Sequence, residues 1–392
     1  MANSPDYANN RLTQLTGLGQ SIWYDFIERK LIVSGELKRL IEEDELRGVT
    51  SNPAIFGKAI SSSDLYADQL RKLAEQGKSP LEIYENLAVT DVQNAADVLR
   101  PVYDRTAGAD GFVSLECSPK LANDTQATIV ETRRLWNWVN RPNLMVKIPG
   151  TPEGMPAIEQ TIYEGININI TLLFSLEAYE QTMEAYLRGL ERRAAEGKPI
   201  DRIASVASFF VSRIDTAVDK RLEALITQTA DEGEKNRLRE LVGRIATANA
   251  KMAYQRFKTV FGSERFAALK SKGARLQRPL WASTSTKNPS YSDVYYVEAL
   301  IGPDTVDTLP PATLVAFRDH GTPRVTIEEA LDQERERLDG LERAGISLDE
   351  VTTQVLADGV RLFVEPFEAL LATITSRSEE ILGRSASSTG ND

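Results

Sequence analysis

About eight times along the chain, a short apolar run bounded by turn residues is followed by a longer stretch with helical spacing, and this alternation restricts the fold more than any other property. The runs fall at 21–26, 48–53, 111–116, 144–149, 166–174, 203–210 and 278–284, with a short eighth at 304–309. Helical spacing occupies 32–43 (Leu37, Leu40, Ile41), 56–77, 79–100, 123–140, 154–164 and 176–197, and Pro80 suits a helix start. Strands that alternate with helices, with no low-complexity linker between them, make a parallel sheet in one unit, expected over 1–384; about eight of them favour a closed (β/α)8 barrel. A doubly wound open sheet competes, but it usually carries a glycine-rich turn after its first strand. Here the first run passes straight into Phe26-Ile27-Glu28-Arg29-Lys30, and the sequence contains neither G-x-G-x-x-G nor a phosphate P-loop. A short helix at 10–18 precedes the barrel. The charged helical segment at about 214–269 is longer than one crossover needs and reads as an insertion after strand six. Segments 327–344 and 348–381 read as C-terminal helices, and 385–392 has the composition of a flexible tail.

Composition excludes several function classes. No run approaches the roughly twenty apolar residues of a membrane span, and the first residues lack a basic region followed by an apolar one, so a cytoplasmic, non-membrane protein is expected. The net charge of -11 argues against nonspecific nucleic-acid binding. One cysteine, Cys117, excludes an internal disulfide, and with one histidine, His320, a His/Cys zinc site has almost no ligands to draw on. Chemistry then falls to Lys, Asp, Glu, Ser and Thr.

The anomaly is Lys147, inside the apolar run Leu144-Met145-Val146-Lys147-Ile148-Pro149 and on the same face as Met145 by alternation. An amine in an apolar setting has its charged form disfavoured and can act as a nucleophile near neutral pH; alternatively its stem snorkels to water from a strand edge. In a barrel of this kind, functional residues gather at the C-terminal ends of the strands. Those positions hold Asp25, Asn52, Glu116, Lys147, Asn169 with Thr171, Ser208 with Arg213, and Ser283 with Lys287. Each has an ordinary alternative: Asp25 as a helix cap, Asn52-Pro53 as a turn, Glu116 as a partner of a basic neighbour. Asn169 and Thr171 interrupt an apolar strand on one face and need hydrogen-bond partners there. A lysine with two carboxylates is the equipment of Schiff-base chemistry, in which an iminium draws electrons from a carbon–carbon bond two atoms away while an acid/base removes a hydroxyl proton.

Four segments carry a resemblance: Gly48-Val49-Thr50-Ser51-Asn52-Pro53, Val146-Lys147-Ile148-Pro149, the run from Asn167 through Asn169 and Thr171 to Ser175, and Ala207-Ser208-Phe209-Phe210-Val211-Ser212-Arg213-Ile214-Asp215. In the same order from about residue 20 to residue 320, the chain resembles transaldolases, most specifically in its Asn-x-Asn-x-Thr-Leu-Leu-Phe-Ser stretch. That resemblance implies a class I enzyme on an eight-stranded TIM barrel, without metal or cofactor. Its reaction would move a dihydroxyacetone unit from sedoheptulose 7-phosphate to glyceraldehyde 3-phosphate, giving erythrose 4-phosphate and fructose 6-phosphate in the pentose phosphate pathway. It makes Lys147 the nucleophile and Asp25 the acid/base at the C4 hydroxyl. Glu116 and Thr171 would hold the proton-shuttling water, Asn52 and Asn169 the hydroxyls of the three-carbon unit, and Ser208, Arg213, Ser283 and Lys287 the phosphate end. Two departures stand out: Lys287 lies near a position where many members carry arginine, and Lys147-Ile148-Pro149-Gly150-Thr151 is closer to the short aldolase-like subfamily. A fructose 6-phosphate aldolase and a catalytically silent sugar-phosphate-binding barrel are the alternatives. Cys117 is expected to be a small buried thiol, the four tryptophans to serve in packing, with Trp23 and Trp281 candidates for walls of the site, and the charged helices at 212–269 and 327–344 to be solvated faces or a homodimer contact.

Overall fold

Eight parallel strands pair in sequence order and close on themselves: β1 (Gln20–Tyr24), β2 (Gly48–Val49), β3 (Phe112–Glu116), β4 (Leu144–Pro149), β5 (Ile168–Leu173), β6 (Ser205–Phe210), β7 (Gln277–Ala282) and β8 (Thr305–Leu309). The computed structural model describes residues 10–388, with side chains through 383. The ring closes where β1 runs in register with β8, from Gln20 opposite Thr305 to Tyr24 opposite Leu309. This is the (β/α)8 architecture, with helices packed around the strands.

Several helices begin on sequence signals that satisfy their first N–H groups. Ser79 and Glu82 form a reciprocal capping box ahead of helix Pro80–Arg105. Asp124 caps Thr125–Val139, and Ser175 caps Leu176–Ala195. Other boundaries differ from the expectation. Helix 32–43 divides into Arg29–Val33 and Glu36–Glu43 because Gly35 takes φ 80° between them. The second strand is only two residues long, as Thr50 to Asn52 already belong to the turn that Asn52 closes by capping helix Pro53–Ser62. The insertion is four helices, Ser212–Gln228, Glu232–Leu241, Ile245–Phe261 and Glu264–Lys270. The final helix, Leu348–Ser388, takes in the start of the expected tail; residues 389–392 of that tail lie outside the described residues.

Register fixes which side chains face the barrel axis, because neighbours in a parallel ladder point the same way. Glu116 pairs with Lys147, Lys147 with Asn169, Asn169 with Val206, and Ser208 with Leu280, so these positions share the interior. Trp23 packs over its ladder neighbour Gly48, where an added Cβ would sit 2.5 Å from the indole ring. Glycine there makes room for the indole. Trp281 points the other way, toward the helices, with Phe209 at 6.3 Å between ring centroids. Both tryptophans are fully buried packing residues, as expected, and neither lines the mouth as a wall of the site.

The C-terminal helix Leu348–Ser388 lies against the mouth. Its Leu362 and Phe363 line the opening, Phe367 packs on Tyr84, and a Cβ at Gly359 would meet Leu172 at 3.1 Å and Arg213 at 3.6 Å. Among the described residues, no helix is long and apolar enough to cross a membrane.

Candidate active site

At the C-terminal ends of the strands, a cavity of about 240 Å³ gathers Asp25, Asn52, Lys147, Thr171, Ser208, Arg213, Ser283 and Lys287. Eight of the ten residues singled out in the sequence therefore share one surface. Lys147 enters from β4 with its side chain 7% exposed; its Nζ donates to the Ser51 carbonyl at 3.1 Å and lies 3.8 Å from Glu116 Oε2. The amine is thus fixed by a backbone acceptor from the β2 turn and faces a carboxylate one strand away.

Both carboxyl groups of the site hold their protons more tightly than an exposed acid. Burial pushes the Asp25 carboxyl up, and the nearby charges of Lys147 and then Lys287 pull it partly back. Glu116 is also raised by burial, against the pull of Lys147, and its repulsion from Asp25 adds to the rise. Two carboxyl groups held above the usual carboxylate range near an amine are suited to giving and taking protons.

Glu116 and Asn169 are the two candidates that do not line the cavity. Glu116 stands beside Lys147, whereas the Asn169 amide is already satisfied: its Nδ2 donates to Ser114 Oγ at 3.0 Å and its Oδ1 accepts from Ser208 Oγ at 2.7 Å. Asn169 thereby orients Ser208 from beneath. Asn52 has two roles, since its Oδ1 accepts from the Ile55 N–H at 3.0 Å as a helix cap while the residue lines the cavity.

Three buried polar atoms near Lys147 or in the lining have no hydrogen-bond partner: Glu116 Oε2, which keeps only its longer contact with Lys147, Thr171 Oγ1 and Arg213 Nη1. Buried groups of this kind usually have a hydrogen-bonding partner, so their capacity is available to a ligand or solvent. Thr171 is presented where the β5–β6 pairing shifts register, next to Leu172 with φ 60°. Ser283 also takes a positive φ, 58°, and shares a 3.0 Å hydroxyl contact with Ser212 at the start of the Arg213 helix. Left-handed backbone at non-glycine residues costs about 1 kcal/mol or more, and two of the residues that adopt it, Leu172 and Ser283, lie beside or in the cavity lining.

Part of the cavity lining is cationic. Arg213 lies over Phe210 with its guanidinium carbon 5.4 Å from the ring centroid, and Lys287 is held on the β7 loop by donation to Ser285 Oγ at 2.8 Å. Partial desolvation, followed by repulsion from Arg213, holds the Lys287 ammonium below the usual lysine range. Two cations beside a helix N-terminus and serine hydroxyls suit a phosphate.

The sequence did not single out Thr50, Phe210, Ser285, Thr308, Leu362 or Phe363, which also line the cavity. Thr308 and Phe210 follow from strand alternation. Leu362 and Phe363 carry no local signal, because their position depends on how the last helix crosses the mouth. Of the remaining residues, Cys117 is buried, with its thiol pushed up to about 12 mainly by desolvation, and His320 is exposed between Asp293 and Asp319. Among the described residues, no group of three or more His, Cys, Asp or Glu side chains is arranged to hold a metal ion.

Fold and site together define a (β/α)8 barrel with a buried lysine near two carboxyl groups and a cationic rim. The chain belongs to the transaldolase/fructose-6-phosphate aldolase family, which matches residues 22–374. It is 47% identical over 374 residues to a transaldolase of Trichodesmium erythraeum, covering 95% of this chain and 98% of the relative. It is likewise 47% identical over 373 residues to transaldolase 2 of a Nostoc species, covering 94% of this chain and 98% of the relative. A transaldolase of Saccharopolyspora erythraea shows the same 47% identity over 373 residues, 95% of this chain and 99% of the relative.

Proposed function

We propose that the chain is a transaldolase that transfers a dihydroxyacetone unit from sedoheptulose 7-phosphate to glyceraldehyde 3-phosphate, forming erythrose 4-phosphate and fructose 6-phosphate, through a Schiff base on Lys147. The observation that carries this reading is the placement of Lys147 Nζ 3.8 Å from Glu116 Oε2 in a cavity that also holds Asp25 and Arg213.

In this reading the Lys147 amine adds to the ketone carbon, and loss of water gives an iminium. Asp25 takes the proton of the C4 hydroxyl as the C3–C4 bond breaks, its electrons pass into the iminium, and the aldose leaves. The enamine that remains attacks the acceptor aldehyde, Asp25 returns the proton, and water releases the new ketose. Glu116 and Thr171, with Oε2 and Oγ1 free of hydrogen-bond partners, position that water and carry its protons. Asn52 binds hydroxyls of the three-carbon unit. Asn169 contributes through Ser208, while Ser208, Arg213, Ser283 and Lys287 receive the phosphate. The Arg213 guanidinium offers a fork to phosphate oxygens, and Lys287 contributes a point charge. Phosphorylated sugars do not cross bilayers unaided, so the cytoplasm is the fitting compartment. Release of free dihydroxyacetone, as in an aldolase, is not favoured, because relatives that match end to end are named transaldolases.

Incubation with fructose 6-phosphate and borohydride tests the mechanism. A three-carbon adduct is expected on the peptide containing Lys147 and absent in Lys147→Met. Labelling of a different lysine overturns the assignment.

A further inference from the structure

Beyond Arg213 in its first turn, the helical insertion after β6 has no part in the chemistry above, yet two buried acids tie it to the cationic end of the cavity. Asp215 and Asp219 lie on helix Ser212–Gln228, two and six residues beyond Arg213 and one turn apart, so they share a face. Each carboxylate bridges the same two segments. Asp215 Oδ2 accepts from Tyr296 OH at 2.9 Å and its Oδ1 from the Ala246 N–H at 2.7 Å. Asp219 Oδ2 accepts from Tyr291 OH at 2.8 Å and its Oδ1 from the Gly243 N–H at 2.8 Å. The two tyrosines belong to the segment after β7, the one that carries Ser285 and Lys287 to the cavity. The two N–H groups belong to the turn that opens insertion helix Ile245–Phe261. A third tyrosine closes the bracket: Tyr295 OH donates to the Gly243 carbonyl at 2.9 Å and accepts from Arg244 Nη1 at 3.1 Å. The same insertion helix reaches the end of β5, where Asn249 Nδ2 donates to the Phe174 carbonyl at 2.8 Å.

We infer that the insertion is a bracket for substrate phosphate, in which Asp215, Asp219, Tyr291 and Tyr296 act as positioning residues that hold the Lys287 loop against the Arg213 helix. This rests on the proposal that Arg213 and Lys287 receive phosphate. Lysine supplies no planar fork, so its contribution depends on where its loop places the ammonium. Without the tyrosine hydroxyls the loop is held by its own turn, Asn288 accepting from the Ser290 N–H and hydroxyl, and by contacts at its rim.

The test compares erythrose 4-phosphate with unphosphorylated erythrose as acceptors, at saturating fructose 6-phosphate donor, in wild type, Tyr291→Phe, Tyr296→Phe and Arg213→Ala. The readout is the ratio of kcat/KM values for the two acceptors, with circular dichroism to confirm the fold of each variant. Tyr291 is half-buried, so Tyr291→Phe is the milder change and keeps the test open if Tyr296→Phe fails to fold. A loosened charge-assisted contact predicts a ratio lowered roughly tenfold in Tyr291→Phe, through KM for the phosphorylated acceptor rather than through kcat. If Arg213→Ala lowers the ratio and folded Tyr291→Phe leaves it unchanged, the bracket is refuted and the phosphate site stands. If Arg213→Ala leaves the ratio unchanged, the phosphate site itself is refuted, and the bracket with it.

Discussion

Asp307 on β8 is wholly buried, and its one hydrogen bond to a side chain comes from Thr284 Oγ1, 2.9 Å from Oδ1; Oδ2 has no partner. Burial pushes this carboxyl up to about 8 from 3.8, with the Thr284 bond working weakly against the rise. The folded chain therefore keeps a proton that the unfolded chain has already released, and stability falls as pH rises from 3.8 through about 8. At about 1.4 kcal/mol per pH unit, the roughly three units crossed by pH 7 correspond to roughly 4 kcal/mol. Asp307→Asn keeps the acceptor for Thr284 and removes the titration. The variant is expected to gain on the wild type steadily with pH, from little difference near the acid end to several kcal/mol at pH 8. Urea unfolding followed by tryptophan fluorescence at a series of pH values measures the gap, and every other titrating group cancels in the difference between the two proteins. A gap that stays flat with pH would refute the reasoning, because it would mean that Asp307 either ionises freely in the fold or is not buried.

Other substitutions probe separate parts of the molecule. Asp25→Ala is expected to leave borohydride trapping at Lys147 intact while slowing ketose cleavage by about 10²- to 10⁴-fold; loss of trapping with normal cleavage contradicts its role. Gly48→Ala places a methyl 2.5 Å from the Trp23 ring, which is fully enclosed and has nowhere to move. A loss of about 3 kcal/mol in urea unfolding is expected, and a neutral result would show that the lower barrel is looser than it is drawn.

Much of the site was legible because strand alternation is a short-range rule. Lys147, Asn169, Thr171 and Ser208 sit on strands of six residues whose apolar neighbours fix the face, and all four point inward as alternation requires. The extent of β2 was overestimated, because Thr50 and Ser51 look like strand residues until Asn52 is seen to cap the next helix. Whether an inward residue reaches the cavity or stops one layer below was not legible: Asn169 is taken up by Ser114 and Ser208. The bracket around Lys287 gave no local sign either, since Tyr291 and Tyr296 meet their acids across 72 and 81 residues of sequence. The same holds for Phe363, whose place at the mouth is set by a helix of 41 residues and its packing at points far from residue 363.

The position of that helix affects how the protein comes into being. Closure of the ring waits for residues 305–309 to meet β1, and one wall of the cavity waits longer still, for Leu362 and Phe363. A chain emerging from the ribosome in order cannot complete this pocket until the segment with Leu362 and Phe363 has followed all eight strands. Without that segment the amine of Lys147 lacks the wall that Leu362 and Phe363 supply. Completion of the pocket is thus coupled to synthesis of a helix that follows every strand of the barrel.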